Sequence, residues 1–130
     1  MPKISIIMPL YNAGKYLEES LKCVMNQTFS DFELICVDDA SMDTTPDILR
    51  DFAAHDNRIK VLTNERRHGA AYSRNRGMRE AAGKYLSFLD GDDIFEEEML
   101  KCAYKTAELY HTDVVVSVSY THLRAHETVL

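Results

Sequence analysis

The stretch that decides the fold is Tyr85-Leu86-Ser87-Phe88-Leu89-Asp90-Gly91-Asp92-Asp93, a short apolar run that ends in three carboxylates. The apolar part is too short for a helix and rich in aromatic and aliphatic residues, so it predicts a buried strand. Close carboxylates repel one another unless water or a cation neutralises them, and their hard oxygen atoms suit Mg²⁺ or Mn²⁺. Ligands of open α/β sheets bind outside the carboxyl ends of strands. The stretch therefore predicts either a metal site at the mouth of a sheet or an acidic turn in which Gly91 supplies an unusual backbone angle.

Composition and charge narrow the class of protein. The chain has 130 residues, of which 45% are hydrophobic, and a formal net charge of −6. These values predict one small domain, or part of a larger one, and argue against general nucleic-acid binding. The 3 cysteines are far apart and form no C-x-x-C pair, so neither a disulfide framework nor a zinc knuckle is expected, and a reducing cytoplasm fits. We predict no signal peptide and no transmembrane segment.

Apolar runs elsewhere in the chain predict further strands, and amphipathic segments between them predict helices. The predicted strands are Lys3–Met8 (ended by Pro9), Phe32–Val37, Arg58–Thr63, Tyr85–Leu89 and Asp113–Val118. The predicted helices are about Lys15–Gln27, one capped by Asp43, Thr44 or Thr45, about Ala70–Ala82 with Gly83 as its C-terminal cap, and about Glu96–Tyr110 with an acidic first turn. Continuous apolar strands that alternate with helices predict an α/β fold, with a mostly parallel sheet and helices on both faces.

Polar residues follow several of these strands and, if the strands are parallel, lie at one edge of the sheet. The edge offers Tyr11 and Asn12, Asp39, Arg74, and Asp90 with Asp92. An aromatic ring can pack against a base, a carboxylate can accept a base N–H, and a guanidinium can pair with phosphate. A cation held by carboxylates can bridge two phosphates. No Walker loop or G-x-G-x-x-G follows the first strand, which argues against ATP hydrolysis and dinucleotide binding.

Four motifs resemble those of family 2 glycosyltransferases, in family order and spacing. They are Ser5–Asn12, Val37–Asp43, Gly69–Gly77 and Phe88–Asp93. The resemblance covers about Pro2 to Val116 and implies the nucleotide-diphospho-sugar-binding half of a GT-A (Rossmann-like) fold. It implies inverting transfer of a sugar from a nucleotide donor, a UDP-sugar, to a hydroxyl of a glycan or lipid-linked acceptor in cell-surface polysaccharide biosynthesis. It also implies an Mn²⁺ or Mg²⁺ cofactor at a DXD motif, and a cytoplasmic location at the inner face of the membrane.

Carried onto this sequence, the resemblance implies a set of site residues. The residues expected to bind the nucleotide-sugar are Pro9, Leu10, Tyr11, Asn12, Asp39, Arg74, Asp90 and Gly91, and the expected metal ligands are Asp92 and Asp90. Asp39 would bind uracil through its N3–H, and Arg74 would contact the nucleotide near its phosphates. Structural alternatives stay open: Tyr11 as packing at the sheet edge, and Arg74 as part of a solvated helix face.

The end of the chain departs from the family pattern. We expect an incomplete donor-binding domain over residues 1–117 and a non-family tail over 118–130, which resembles translated sequencing-adaptor read-through. The family's general base, an aspartate, lies well downstream of the metal motif, so we expect it beyond Leu130. We therefore assign no catalytic residue and expect these 130 residues alone to be inactive.

Two other functions compete with the enzyme. One is a non-catalytic module that binds nucleotide-sugars. The other is a receiver-like signalling domain, which would need an acidic pair after the first strand and a lysine after the last. The first strand here is followed by Pro9, and no lysine follows Val118.

Overall fold

The structure, a computed structural model, describes residues 1–111, 116–119 and 126–129, the last two segments as backbone. Its elements in chain order are β1 (Ile4–Leu10), α1 (Gly14–Met25), β2 (Phe32–Asp38), α2 (Thr45–His55), β3 (Ile59–Thr63), α3 (Ala70–Glu80), β4 (Tyr85–Phe88), α4 (Met99–Tyr110), β5 (Val116–Ser119) and β6 (His126–Val129). The first four strands form a parallel sheet in the order β3-β2-β1-β4. The predicted α/β class is confirmed.

Helices pack on both faces of the sheet, which explains the continuous apolar runs of β1 and β2. Alternate side chains of a strand point to opposite faces. Ile7 and Ile35 pack with Met78 of α3, whereas Ile6 and Met8 belong to the cluster that includes residues of α1, α2 and α4. Both faces of the central strands are therefore buried. No helix among the described residues combines the length and apolarity needed to span a bilayer.

Pro9 does not end β1, contrary to the prediction. The strand runs on to Leu10 and pairs with β2 as far as Asp38. On its other side the ladder ends where the Leu89 N–H donates to the Ile7 carbonyl at 3.0 Å. Pro9 faces the same way as Ile7, because residues two apart in a strand face the same neighbour. Its missing N–H therefore falls where β4 has already left the sheet, and no ladder bond is lost.

The strand β4 is not buried as predicted. It is an edge strand, and Leu86 and Phe88 are 47% and 46% exposed. Both lie on the face that α3 covers over β1 and β2, as their pairing with Ser5 and Ile7 shows. Leu89, the next residue, is fully buried. The apolar run therefore predicts the strand correctly, but the burial of its side chains depends on which elements from elsewhere in the chain pack against it.

Gly83 does not cap α3, which ends at Glu80 and is followed by Ala81 in an extended conformation. It instead passes close to β1, where an added Cβ would lie 2.6 Å from the Ser5 backbone nitrogen. Its N–H donates to Ser5 Oγ at 2.8 Å. The glycine is therefore required for close approach of two backbones and not for a left-handed turn.

Two predictions for the C-terminal third are also wrong. The helix α4 begins at Met99, so its expected acidic first turn lies before the helix and Glu98 is its N-cap. The predicted fifth strand, Asp113–Val118, overlaps β5, and 113–115 lie outside the described residues; β5 pairs antiparallel with β6 and does not join the parallel sheet. Two strands that are close in sequence pair antiparallel through a short connection, whereas a parallel partner needs a longer crossover.

Candidate functional site

The loops that follow β1, β2 and β4 meet at one edge of the sheet, as predicted. The Asp39 N–H donates to the Leu10 carbonyl at 2.8 Å, which joins the ends of β1 and β2. Gly91, in the loop after β4, packs against Leu10, since an added Cβ would lie 2.7 Å from Leu10 Cδ2. Its φ is not in the left-handed region, which among the glycines only Gly69 occupies. Gly91 is therefore small because of close packing, and the unusual angle considered from the sequence is absent.

Reciprocal hydrogen bonds join the first two of these loops. The Asn12 N–H donates to Ser41 Oγ at 2.9 Å, and the Met42 N–H donates to Asn12 Oδ1 at 2.9 Å. Asn12 has a left-handed φ of 47°, which asparagine tolerates better than most residues. The Asp43 carboxylate accepts the Gly14 N–H at 2.9 Å at the start of α1. Asn12 therefore fixes the shape of the site edge through its own backbone and side-chain oxygen.

Asp39, the predicted base-binding residue, is only 3% exposed. Its Oδ1 accepts bonds from Asn64 Nδ2 and the His68 N–H, and its Oδ2 accepts one from the Gly69 N–H, all at 2.8 Å. Burial opposes ionisation, but these bonds and the Arg67 charge outweigh it and lower the pKa of Asp39. A carboxylate offers about four lone-pair positions. Among the described residues, Oδ2 therefore keeps one position for a ligand.

Asn64 is a functional neighbour that the sequence analysis missed. It is buried, donates to Ser73 Oγ at 3.0 Å as well as to Asp39, and accepts from Arg76 Nη1 at 2.9 Å. Arg76 also donates to the Thr63 carbonyl at 2.7 Å, so it supports the site. The available signal was a polar residue directly after β3, at the same sheet edge as Asp39.

Tyr11 is half-exposed at this edge, and the Arg67 guanidinium lies over its ring at 3.8 Å from the centroid. Such a cation–π contact is favourable when the cation lies within about 6 Å of the ring. Within residues 1–111, the Arg67 guanidinium forms no hydrogen bond or salt bridge, although its charge acts on the Asp39 carboxylate. The edge therefore presents a flat cationic group and an aromatic ring beside the buried Asp39 carboxylate.

The acidic loop lies at the end of β4 and is exposed, including Asp90, Asp92 and Asp93. Arg74 Nη2 lies 3.5 Å from Asp90 Oδ1, so the structure brings these two predicted site residues together. Partial burial and the charges of Asp90 and Asp92 raise the pKa of Asp93. Repulsion between the three carboxylates is therefore not fully compensated, which a divalent cation would relieve.

Residues 1–111 contain no preformed group of three or more His, Cys, Asp or Glu side chains that could enclose a metal ion. Mg²⁺ is usually held by one or two carboxylates together with substrate phosphates, so it does not require such a cage. Asp92 and Asp90 supply hard, exposed oxygen atoms of the right kind. The donor set therefore fits a cation whose coordination a diphosphate completes.

The structure thus places every predicted site residue at or beside one edge, in different surroundings. The side chains of Pro9 and Leu10 are buried, whereas Tyr11 is accessible. Asp38, considered structural from the sequence, accepts the Ser41 N–H at 3.1 Å. The site therefore has a buried acceptor, Asp39 Oδ2, at one end and the exposed acidic loop with Arg74 at the other.

Known proteins share this fold and these motifs. Residues 5–125 match the family model described as Glycosyl transferase family 2. The glycosyltransferase GlyG of Streptococcus pneumoniae serotype 4 is 39% identical over 119 residues, which cover 92% of this chain and 40% of GlyG. The crystal structure of S. aureus TarS 1–349 in complex with UDP-GlcNAc has a TM-score of 0.81 and 35% identity over 85% of this chain, and 32% of TarS 1–349 is covered.

A more distant structure is that of the mannosyltransferase PcManGT from Pyrobaculum calidifontis in complex with GDP-Man and Mn²⁺. It has a TM-score of 0.68 and 28% identity, over 72% of this chain and 28% of that protein. The chain therefore spans between 28% and 40% of the length of these relatives. Its four-stranded parallel sheet and α-helices correspond to those of GT-A glycosyltransferases. The chain belongs to glycosyl transferase family 2.

Proposed function

We propose that the chain is the donor-binding part of a glycosyltransferase that transfers a sugar from a UDP-sugar to an acceptor hydroxyl, with inversion and with Mn²⁺ or Mg²⁺. The observation that carries this proposal is the buried Asp39 carboxylate with one free lone-pair position, at the same edge as the acidic loop. TarS, a relative with a UDP-GlcNAc complex, supports a uridine donor. We further propose a glycan or lipid-linked acceptor in cell-surface polysaccharide synthesis.

The hydrogen-bond capacity of Asp39 favours uracil among the common bases. Uracil has a single N–H, at N3, between two carbonyl groups, and one free lone pair on Oδ2 can accept it. Guanine has donors at both N1 and N2, which would require two free carboxylate positions, and Oδ1 is already occupied by Asn64 and His68. Cytosine carries no proton at N3, so at the position from which uracil donates it presents a lone pair, which a carboxylate repels. The relative PcManGT is complexed with GDP-Man, so GDP is the informative competitor of UDP for this chain.

The other end of the site would hold the diphosphate. Asp92, with Asp90, would ligate the cation, which when bound acts as a Lewis acid on the departing diphosphate. Arg74 lies beside Asp90 and is half-exposed, so part of its guanidinium can donate to a phosphate oxygen. Tyr11 would pack against the base. The role of these side chains is to bind and orient the donor.

The proposal is tested by calorimetric titration with UDP in Mn²⁺ and in EDTA. We expect Mn²⁺ to strengthen binding, and Asp92→Asn to weaken the Mn²⁺-dependent part by about 1–3 kcal/mol, the range for loss of a charged partner. Asp51→Asn, on the exposed side of α2, is the matched control and should bind as the wild type does. Equal UDP affinity in Mn²⁺ for Asp92→Asn and the wild type would contradict the metal assignment.

Base recognition is tested by the same titration with UDP, CDP and GDP. We expect the wild type to prefer UDP because of the single free position on Asp39. A preference for GDP would show that the base site differs from the one that the Asp39 contacts define. A wild type that binds none of the three nucleotides would contradict the proposed donor site as a whole.

A further inference from the structure

The helix α1 carries buried polar side chains that the donor site does not account for. Ser20 is 1% exposed and Gln27, just beyond the helix, is 7% exposed. Cys23 lies between them, so the three residues follow one another at spacings of three and four and share one side of the helix. All three contact residues between Gly91 and Leu100, from the irregular segment after β4 to the first turn of α4. Buried polar groups lower stability unless they are hydrogen-bonded, so the partners of these side chains indicate what the side chains hold in place.

Ser20 lies directly beneath the acidic loop. Its Oγ is 2.9 Å from both the Gly91 and the Asp93 carbonyl oxygens. A hydroxyl has one proton, so the two carbonyls share it. The Asp93 N–H donates to the Asp90 carbonyl at 3.0 Å and closes the turn. Ser20 therefore holds the backbone on both sides of Asp92, the expected metal ligand.

Gln27 and Cys23 hold the rest of the segment. Gln27 Nε2 donates to the Glu96 carbonyl at 2.6 Å, and Gln27 Oε1 accepts the Leu100 N–H at 3.1 Å. The Phe95 N–H points to Cys23 Sγ at 3.2 Å. The segment has no regular secondary structure between β4 and α4, so its backbone groups find in these side chains the partners that a strand or helix would supply.

We propose that Ser20 is a positioning residue for Asp92, and that Gln27 anchors the segment beyond it. This inference rests on the proposed function of the acidic loop. Asp90, Asp92 and Asp93 are three exposed carboxylates within four residues, and like charges so close repel one another, so a loop free to relax would move them apart. A ligand carboxylate must be held close to its bound position before the cation arrives. The hydroxyl of Ser20 supplies that restraint through the backbone, without contact with cation or nucleotide.

The test compares UDP affinity in Mn²⁺ with UDP affinity in EDTA for wild type, Ser20→Ala and Ser20→Thr. For Ser20→Ala we expect the enhancement by Mn²⁺ to fall about tenfold, the lower end of the effect of groups that hold metal ligands in place. Affinity in EDTA should stay unchanged, because Asp39 and Tyr11 are untouched. Ser20→Thr keeps the hydroxyl and should restore most of the enhancement.

A second readout reports the loop itself. Amide hydrogen exchange of Asp93 should be faster in Ser20→Ala than in Ile59→Val, a control that removes a buried methylene from β3 and lowers stability without a contact to the loop. A merely destabilised fold would speed exchange equally in both variants, and that result overturns the proposal. So does a normal Mn²⁺ enhancement in Ser20→Ala. Absence of any enhancement in the wild type contradicts the proposed cation itself, and with it the role of Ser20.

Discussion

The substitution Asp39→Asn removes the negative charge of a buried carboxylate at the site and keeps the shape of its side chain. The wild-type carboxylate accepts three hydrogen bonds, two on Oδ1 and one on Oδ2. Asparagine has one acceptor oxygen and places an NH₂ group at the other position. The side chain has almost the same volume, so the effect of the change lies in charge and hydrogen bonding.

The expected loss of stability follows from these contacts. An asparagine oxygen at the Oδ1 position keeps the bonds from Asn64 and His68, but as neutral bonds, each weaker by about 1 kcal/mol than a bond to a charged acceptor. The new NH₂ group faces the Gly69 N–H, and a donor left without an acceptor costs about 1–3 kcal/mol. We therefore expect the free energy of unfolding to fall by about 3–5 kcal/mol, a large share of the roughly 5–15 kcal/mol typical of domains.

Urea denaturation at neutral pH, followed by circular dichroism, measures this loss. The matched control is Asp38→Asn, an adjacent buried aspartate that accepts the single Ser41 N–H, a bond that an asparagine oxygen can retain. We expect the control to lose about 1 kcal/mol. The reasoning is refuted if Asp39→Asn loses no more than Asp38→Asn. Because the pKa of Asp39 is lowered, its ionised form stabilises the fold above the ordinary aspartate pKa. The difference between wild type and variant should therefore shrink as the pH falls through the folded value.

Two further predictions concern the opposite end of the sheet. Burial opposes ionisation of Glu33, but bonds from Lys60, Ser5 and the Ala82 N–H outweigh it and lower its pKa from 4.5. Its contribution to stability is therefore complete above that value and lost at lower pH, and Glu33→Gln should flatten the acid limb of a curve of unfolding free energy against pH. Gly83→Ala should cost about 2–3 kcal/mol through overpacking against the backbone of β1. We expect this to be no less than the cost of Gly69→Ala, where space is open but φ of 95° and ψ of 168° lie in a region that strains other residues by about 1–3 kcal/mol. Thermal unfolding of both alanine variants decides this order.

The sequence predicted the parallel sheet well because each strand carries its own signal. The runs in β1 and β2 are apolar on both faces, and only a sheet covered by helices on both sides buries such a run. The edge that carries the site followed from the same reasoning, since the carboxyl ends of parallel strands lie together. These conclusions depend on local patterns and on a general rule of topology, so one sequence was enough.

Errors arose where a local pattern takes its meaning from a distant partner. Pro9 is tolerated inside β1 because β4 leaves the sheet two residues earlier, and no feature near Pro9 reveals this. Leu86 and Phe88 are apolar yet half-exposed because β4 is an edge strand. Gly83 resembles a helix cap by position, but it is required by the Ser5 backbone nearly eighty residues earlier in the chain.

The same distinction applies within the site. Most of the residues expected to bind the nucleotide or the cation directly follow strands, and such residues can be recognised in the sequence. Other side chains hold these residues in position, and no sequence motif marks them: Asn64 donates to Asp39, and Ser20 donates to the backbone of the acidic loop. Both are buried, polar and fully engaged with backbone or side-chain partners on other elements. A substitution at either should therefore alter nucleotide binding although neither is expected to contact the nucleotide. Ser20 holds the metal loop, so its substitution should lower UDP affinity in Mn²⁺ alone, whereas Asn64 holds the base-binding Asp39, so its substitution should lower affinity in EDTA as well.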